Sequence, residues 1–534
     1  MKKKKTVIVI LIAVILALVL GFGIYVVYDN NRIRTFSELK LDNEKFNSLI
    51  EKKELSDVSI EDLSFNGYPL IYDKTTNRYY YSVIENDGEA RNPEVKYKAK
   101  FGTKVAFENV TITDDLIHSG ETIDMVVYAG KKYSRSEIVC TSLPLINIDT
   151  AAAPETKDDQ KMHITVFDNG KGVKERLQES DGYIRVKGAS TTNYPKKSFR
   201  LNLRDFNDDG TEKNHDASFL GMRNDDDYML YAGYNDQEKV RNVFSSNLWY
   251  DSCRYDNLAQ VENGMYYKYA ELFMNNEYWG LYALGFPIDK KQLQLKEGEN
   301  LYKKMEWGDG FDIEFDNNEP VDSFELKTEW DEDKAWRDLK DYYDILINSG
   351  DSELLYDSID INNSIDMYLY LAMIIGDDNI DGYDHKNLYL FTKYINGEMK
   401  MFYTPWDMDL TWGNAYSKPD PNWVDTYGYE YDDIQRIMMQ NPVYYLLEME
   451  DEEIKELIED RYYQLRANEW STEYMMDILS GLEADIYYSG AYERDRERWP
   501  EGTFNDAGTD LTRFKEFVSQ RMNFFDSYID SITE

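Results

Sequence analysis

The feature that most constrains this chain of 534 residues is a long stretch without charge near its start. Met1 and four lysines, Lys2 to Lys5, precede Thr6 to Tyr28, in which no charged residue occurs. At 1.5 Å per residue, a helix over this segment reaches roughly 30 Å, which matches the hydrocarbon core of a bilayer. Lysines on its N-terminal side favour a cytoplasmic N-terminus. The stretch therefore predicts a single-pass membrane protein: a basic start at 1–5, a transmembrane helix at 6–28, and the bulk of the chain outside the cytoplasm.

A cleaved secretory signal is the alternative interpretation, because it also has a basic start and an apolar middle. Its apolar region is usually shorter, and Gly21-Phe22-Gly23 is the one small-residue candidate for a cleavage site. No cysteine precedes Cys140, which argues against a lipoprotein signal. An uncleaved anchor is the preferred interpretation.

Composition narrows the classes of partner and site. Hydrophobic residues make up 42% and aromatic residues 15%, so the chain can bury a large core. A net charge of −41 argues against nucleic acid or anionic lipid as the main partner, since both require basic surface. With two cysteines and four histidines, neither a disulfide framework nor a cysteine or multi-histidine metal site is predicted.

Turn signals and hydrophobic periodicity divide the rest of the chain. Residues 29–56 are charged and weakly helical, as in a stalk, and 57–141 alternate short β-type runs with turns, as in a small β-sandwich-like accessory domain. A third region, 142–534, begins with strands and becomes mainly helical after Glu329. Its predicted helices are 335–348, 365–375, 442–466 and 512–532. A hairpin through Asn396-Gly397 interrupts them.

Two segments carry candidate chemistry. Asp381 lies on a predicted loop, Asn387 follows six positions later, and Asp407 and Asp409 come after the hairpin. Phosphoryl transfer needs oxygen ligands for Mg²⁺ and a carboxylate that orients the attacking hydroxyl, and these residues can supply both. Because Asp, Asn and Gly are also ordinary loop formers, a solvated loop is the alternative.

The second segment is a small polar loop between two strands, Val186 to Arg200. Such a loop can approach phosphates through its N–H groups, and a lysine on the exit strand can neutralise their charge. Successive strand residues face opposite sides, so only one of Lys196 and Lys197 points inward, and Lys197 is the preferred candidate. A solvated hairpin is the alternative.

Together these segments resemble the CotH family of atypical kinases, named for a spore-coat protein, over roughly Leu143 to Ile532. The motifs that carry the resemblance are Leu143-Pro144, Pro195-Lys-Lys-Ser-Phe-Arg200, Arg241-Asn242, Glu271-Leu-Phe-Met-Asn-Asn-Glu-Tyr-Trp-Gly-Leu-Tyr282, His385-Lys-Asn-Leu-Tyr-Leu-Phe391, Pro405-Trp-Asp-Met-Asp-Leu-Thr-Trp-Gly413 and Arg494-Asp-Arg-Glu-Arg-Trp499. Several motifs in one order are more specific than any one of them.

The resemblance implies an α+β, atypical protein-kinase-like fold with a β-rich N-lobe and a helical C-lobe. It also implies transfer of phosphate from ATP to serine or threonine of a surface or spore-coat protein, with Mg²⁺ or Mn²⁺. The implied catalytic residue is Asp381, and the implied metal ligands are Asp407, Asn387 and Asp409. The ATP-binding residues implied by the resemblance are Lys197, Lys196 and Arg241.

One departure from the family pattern weakens the case for catalysis. Where the family usually has Leu-Thr-Glu-x-Ile-Asp, this chain has Leu284-Gly-Phe-Pro-Ile-Asp289, so Phe286 stands in place of a carboxylate. Glu238 is a candidate partner for the phosphate-binding lysine. A catalytically inactive kinase-like binding protein is therefore the alternative function, and a glycosyltransferase using the D-x-D pair Asp407 and Asp409 is a third.

An acidic run independent of the family resembles a calcium loop. Asp205, Asn207, Asp209 and Gly210, with Asp216 at the twelfth position, fit the first half of an EF-hand loop. The preceding residues are strand-like, and position twelve is not the usual Glu. An acidic β-turn is the preferred interpretation, with weak Ca²⁺ binding as the alternative.

Overall fold

The computed structural model describes residues 34–84, 87–188, 190–305, 319–375, 387–414, 428–432, 441–504 and 510–534. The chain divides into two units between Ser142 and Leu143.

The first unit is built mainly of short strands in two sheets. Its strands are Arg34–Thr35 (β1), Glu54–Leu55 (β2), Glu61–Phe65 (β3), Tyr68–Pro69 (β4), Ile71–Asp73 (β5), Arg78–Ser82 (β6), Glu94–Lys98 (β7), Thr103–Phe107 (β8), Thr122–Ala129 (β9) and Lys132–Thr141 (β10). One sheet has the order β1-β7-β3-β4, and the other has the order β5-β6-β10-β9-β8, with β2 paired to β10. Its helices are Phe36–Leu39 (α1), Asn43–Glu51 (α2) and Asp114–Ile117 (α3).

Residues 34–55, which the sequence assigns to a stalk, pack into this unit. Phe36 is 1% exposed, and its ring stacks on that of Phe107 with centroids 4.5 Å apart. Strand β1 also pairs with β7. The charged residues that suggest a stalk lie between apolar ones that reach the core.

A closed barrel forms the first part of the second unit. Its strands are Leu145–Thr150 (β11), Gln160–Phe167 (β12), Leu177–Lys187 (β13), Ser198–Phe206 (β14), Asp227–Tyr231 (β16), Tyr267–Met274 (β17) and Glu277–Gly285 (β18). They follow the order β13-β12-β11-β17-β18-β16-β14, and the pairing of β14 with β13 closes the ring. The short strand Glu212–Asn214 (β15) extends β14 outside the ring.

Alternating side chains fill the barrel, as period-two patterning requires. On each of the strands β11 to β14, two apolar residues at positions i and i+2 are at most 2% exposed. They are Ile146 and Ile148, Ile164 and Val166, Ile184 and Val186, and Leu201 and Leu203. These residues belong to one hydrophobic cluster.

A second sheet and the helices complete this unit. The sheet has the order β20-β19-β21-β22, with strands Leu301–Lys304 (β19), Phe324–Leu326 (β20), Leu388–Ile395 (β21) and Glu398–Pro405 (β22). The helices are Arg241–Cys253 (α4), Glu332–Asn348 (α5), Ser352–Ser358 (α6), Ile361–Met373 (α7), Pro442–Glu448 (α8), Glu452–Arg466 (α9), Thr472–Glu483 (α10), Ala491–Arg498 (α11) and Thr512–Thr533 (α12). Helices α5, α6, α7 and α9 each follow an aspartate whose side chain accepts a hydrogen bond from the first turn.

This architecture corrects the predicted fold class, a protein-kinase-like fold with a β-rich N-lobe and a helical C-lobe. The early strands close into a barrel, and the second sheet takes strands from both sides of helices α5 to α7 in the sequence. Local patterns identify strands, but they do not show which strands pair across long separations.

The structure also contradicts the predicted transmembrane helix. The predicted single-pass membrane localisation depends on that helix and is contradicted with it. Across the ranges that the structure describes, no helix combines the length and apolar character that crossing a bilayer requires. The segment on which that prediction depends, 6–28, lies outside the described residues.

Candidate active site

The residues after strand β22 form a loop, Asp407 to Asn414, which we call the carboxylate loop. Asp407 has φ of 62° and Trp412 has φ of 51°, so both occupy the left-handed region although neither is glycine. Such conformations persist where surrounding structure enforces them. The main-chain N–H of Trp412 donates to the carbonyl of Ile374 at 2.8 Å, which ties the loop to the end of α7.

Helix α4 holds the other side of the carboxylate loop. Asn242 accepts a hydrogen bond through Oδ1 from the N–H of Met408 at 2.8 Å. Arg241 donates through Nε to the carbonyl of Thr411 at 3.1 Å. Both residues are at most 1% exposed, so the loop is fixed from within the core.

Arg241 is an interior residue with interior partners. Its guanidinium donates to Asp236 Oδ1 at 2.8 Å and also contacts the Glu238 carboxylate. It lies 4.8 Å from the centroid of the Phe514 ring. Glu238, the candidate partner for a phosphate-binding lysine, therefore pairs with Arg241 instead.

Asp409 lies near two other carboxylates, those of Asp407 and Asp236. Its Oδ2 accepts a hydrogen bond from the Tyr231 hydroxyl at 3.3 Å. Burial, the Asp407 carboxylate and the Asp236 carboxylate together raise the pKa of Asp409 well above its usual range. Partly buried carboxylates of like charge favour either a proton or a bound cation. The carboxylate loop can therefore supply two hard oxygen ligands to a divalent metal.

Asn387 belongs to the same site. It is 7% exposed and precedes β21, and its Nδ2 donates to the main-chain oxygen of Asp407 at 2.8 Å. Its amide oxygen is the atom that would ligate a cation. Asp381 lies outside the described residues, so its placement relative to this site stays a prediction.

The two candidate lysines on the polar loop face different surroundings. Lys196 is 2% exposed, and its ammonium lies 2.8 Å from Asp495 and donates to the carbonyl of Leu281 at 2.6 Å. Lys197 is half-buried and lies 3.3 Å from Glu155. Of the two, it is Lys196 that points into the interior.

Two other lysines contact Trp406, the residue directly before the carboxylate loop. Lys187, the last residue of β13, has its Nζ 4.4 Å from the centroid of the Trp406 ring, and Lys303 of β19 has its Nζ 4.2 Å from that centroid. Burial lowers the pKa of Lys187, and the Asp407 carboxylate opposes this effect. Burial and the Lys187 ammonium lower the pKa of Lys303 to about 8. Sequence reasoning missed both lysines as candidates, although Lys187 lies within the segment Val186 to Arg200.

Phe286, the departure from the family pattern, is a core residue. It is 1% exposed, and the guanidinium of Arg223 lies 4.5 Å from the centroid of its ring. Its ring also packs edge-on against that of Tyr250. Where the family pattern has a glutamate, this chain therefore has a core phenylalanine that contacts an arginine and a tyrosine.

The acidic run at 205–210 forms the turn between β14 and β15. Asp209 accepts hydrogen bonds from the N–H and hydroxyl of Thr211, and Asn207 donates to the Thr211 hydroxyl. Asp205 lies 2.8 Å from Nδ1 of His215. These side chains close a hairpin turn through hydrogen bonds to its own residues, as in an acidic β-turn.

Asp216, the twelfth position of the supposed calcium loop, points to a different cluster. In the described parts of the chain, Asp216, Asp225 and Asp226 are the three carboxylates that converge closely enough to share a cation. The Lys291 ammonium donates to all three, at 2.9, 3.1 and 3.3 Å. A lysine thus neutralises this cluster.

Comparison with known proteins identifies the family. The family model described as CotH kinase protein matches residues 184–525, which is more than half of the chain. No curated protein matches the chain significantly. The matched region contains β14, helix α4, the second sheet and the whole carboxylate loop. The chain belongs to the CotH kinase protein family.

Proposed function

We propose that this protein is an ATP-dependent kinase that phosphorylates serine or threonine of other proteins, with spore-coat proteins as the first candidates. The observation that carries the proposal is the pair Asp407 and Asp409 on a loop whose strained backbone is held from both sides. Family membership supports the same chemistry.

The donor set fits a hard divalent cation such as Mg²⁺ or Mn²⁺. Asp407 and Asp409 offer carboxylate oxygens and Asn387 offers an amide oxygen, which are ligands that such cations prefer. Burial and the carboxylates of Asp407 and Asp236 raise the pKa of Asp409, which supports a cation site at this position. A bound cation would neutralise charge on the phosphates of ATP.

The chain's own residues then have separate tasks. We assign to Asp381 the role of accepting the proton of the attacking hydroxyl. The hydroxyl oxygen forms a bond to the γ-phosphorus, the bond from that phosphorus to the β–γ bridging oxygen breaks, and ADP leaves. Arg241, which the resemblance assigns to ATP, supports the carboxylate loop through the carbonyl of Thr411. Lys196, the other interior residue that the resemblance assigns to ATP, pairs with Asp495.

The test is label transfer from γ-labelled ATP to candidate coat proteins with Mg²⁺ or Mn²⁺. Asp407→Asn and Asp381→Asn should each lower the rate at least about 100-fold, because each removes a charge that acts on the transferring group. Asp205→Asn changes a turn carboxylate outside this site and serves as the matched control.

Three results would contradict the proposal. Metal-dependent ATP binding without transfer would indicate a kinase-like binding protein. Hydrolysis of a sugar nucleotide but not ATP would indicate a glycosyltransferase. Full activity of Asp407→Asn would remove the carboxylate loop from the reaction.

A further inference from the structure

Lys187 and Lys303 are brought to one place by two different sheets. Val186 is 2% exposed inside the barrel, so the next residue, Lys187, faces outward. Gly188 follows with φ of 120°, and a Cβ there would lie 2.0 Å from Thr191 Oγ1, so the chain turns sharply at the end of β13.

Lys303 reaches the same tryptophan from β19. It pairs with Tyr389 on β21, and paired residues on antiparallel strands share a face. The Tyr389 ring packs edge-on against Trp406, with centroids 5.7 Å apart. Lys303, Tyr389 and Trp406 therefore form one surface beside the carboxylate loop.

The two ammonium groups have aromatic contacts, but no described carboxylate lies within ion-pair distance of either. Among the residues that the structure describes, neither the Lys187 nor the Lys303 side chain forms a hydrogen bond or an ion pair. A lysine ammonium has three hydrogen-bond donors, and burying it without acceptors costs free energy. Lys393 shows the contrasting arrangement: it is 6% exposed, pairs with Glu299 at 3.0 Å and donates to two carbonyls.

We propose that Lys187 and Lys303, placed around Trp406, form the subsite that binds the phosphate tail of the nucleotide. This inference deepens the proposed function and depends on it. Both residues are half-buried, so part of each is open to solvent. Phosphate oxygens would supply the missing acceptors, while Asp407 would face the same tail through the bound cation.

The same geometry gives Trp406 a specific task. Two ammonium groups lie within 4.4 Å of its ring centroid, which is the distance range of cation–π attraction. The ring therefore orients the lysines rather than stacking on the base. The subsite should accordingly bind phosphate in preference to adenosine.

Calorimetric titration of the purified full-length protein with adenosine, Mg·ATP and tripolyphosphate tests the assignment. Lys187→Met and Lys303→Met keep a stem of similar length and remove the charge. Each should raise the Kd for Mg·ATP and for tripolyphosphate at least about tenfold, because each removes a charge-assisted contact, while the Kd for adenosine stays within about twofold.

Lys161→Met is the matched control, because Lys161 also lies over an aromatic ring, 4.3 Å from the centroid of Phe206. It should leave all three Kd values unchanged. Lys197→Met, measured in parallel, compares the residue that the family pattern favours. Circular dichroism of each variant verifies folding, and the two lysines on separate sheets provide independent trials.

The outcomes separate this inference from the proposed function. Unchanged Mg·ATP and tripolyphosphate Kd values in both variants overturn the subsite, even if the wild-type protein transfers phosphate. Equal weakening of adenosine and ATP also overturns it, because the loss would then not concern phosphate. Wild-type ATP binding with the expected lysine dependence but without label transfer upholds the subsite and overturns the kinase proposal. A wild-type protein that binds neither ATP nor tripolyphosphate overturns the subsite together with the ATP-dependent function.

Discussion

Ionised Asp409 lowers the stability of the folded protein, and a bound cation would remove this effect. Burial and the carboxylates of Asp407 and Asp236 raise its pKa, so the folded protein binds its proton more tightly than the unfolded chain does. Below the unfolded pKa the residue costs no stability, and the cost grows as the pH rises towards the folded pKa. In a chelator, Asp409→Asn should therefore be more stable than wild type, by a margin that widens as the pH rises from about 5.

Added Mg²⁺ should reverse this order. The cation stabilises the wild-type protein by binding its folded state, and Asp409→Asn should lose most of that gain. Thermal unfolding with chelator and with Mg²⁺, at several pH values, measures both effects. Asp205→Asn should keep the Mg²⁺ response of the wild-type protein. If Asp409→Asn is destabilising in the chelator, the carboxylates do not repel each other as described.

For single residues, the sequence indicates which side chains lie together only where those residues are neighbours along the chain. Asp407 and Asp409 are two positions apart, and the structure places both in one loop. Strand alternation predicts that only one of Lys196 and Lys197 points inward, but it does not say which. Lys187, Lys303 and Trp406 meet only because two sheets approach each other, and no local pattern contains that information.

Helix α4 is the element that holds the carboxylate loop, and Arg241 at its start is the principal contact. The ion pair of Arg241 with Asp236 is buried on both sides, with 2% and 0% of the side chains exposed. Removing one partner of a buried pair leaves an uncompensated charge and costs about 3–5 kcal/mol. Arg241→Met should lower the free energy of unfolding by this amount in urea titrations and should also reduce phosphate transfer.

Arg185→Met is the matched control for this prediction. Arg185 pairs with Asp159 at 3.3 Å, and both side chains are more than a third exposed. Exposed pairs contribute at most about 1 kcal/mol. If the two variants lose equal stability, α4 does not support the loop through its ion pair.

Elements defined by local chemistry are the ones that the sequence predicts. The hairpin of β21 and β22 turns at Asn396 and Gly397, whose φ values of 55° and 91° suit a type I′ turn. The predicted helix over 442–466 is split, because Glu450 has φ of 55° and Asp451 caps a new helix through the N–H of Ile454. Because hydrophobic periodicity continues across this break, the sequence pattern predicts one helix where the structure has two.

The site as a whole depends on strand pairings that are distant in sequence. Strand β11 pairs in parallel with β17, bringing Leu145 opposite Glu271, and β13 pairs with β14 to close the barrel. Lys187 leaves the end of β13, while Lys303 and the carboxylate loop come from the second sheet. The position of Lys187 therefore depends on closure of the barrel. The positions of Lys303 and the carboxylate loop depend on the second sheet.

The second unit should accordingly fold and act without the first. Both of its hydrophobic clusters consist of residues from Leu143 onward, and its barrel closes with its own strands. A protein of residues 143–534 should unfold cooperatively, with the midpoint of the matching transition in the full chain, and retain ATP-dependent transfer. A protein of residues 160–534 lacks β11, which pairs with both β12 and β17, and should fail to unfold cooperatively because its barrel is open. Calorimetry and label transfer measure both proteins. An unfolded 143–534 protein, or a fully active 160–534 protein, would show that barrel closure does not determine the site.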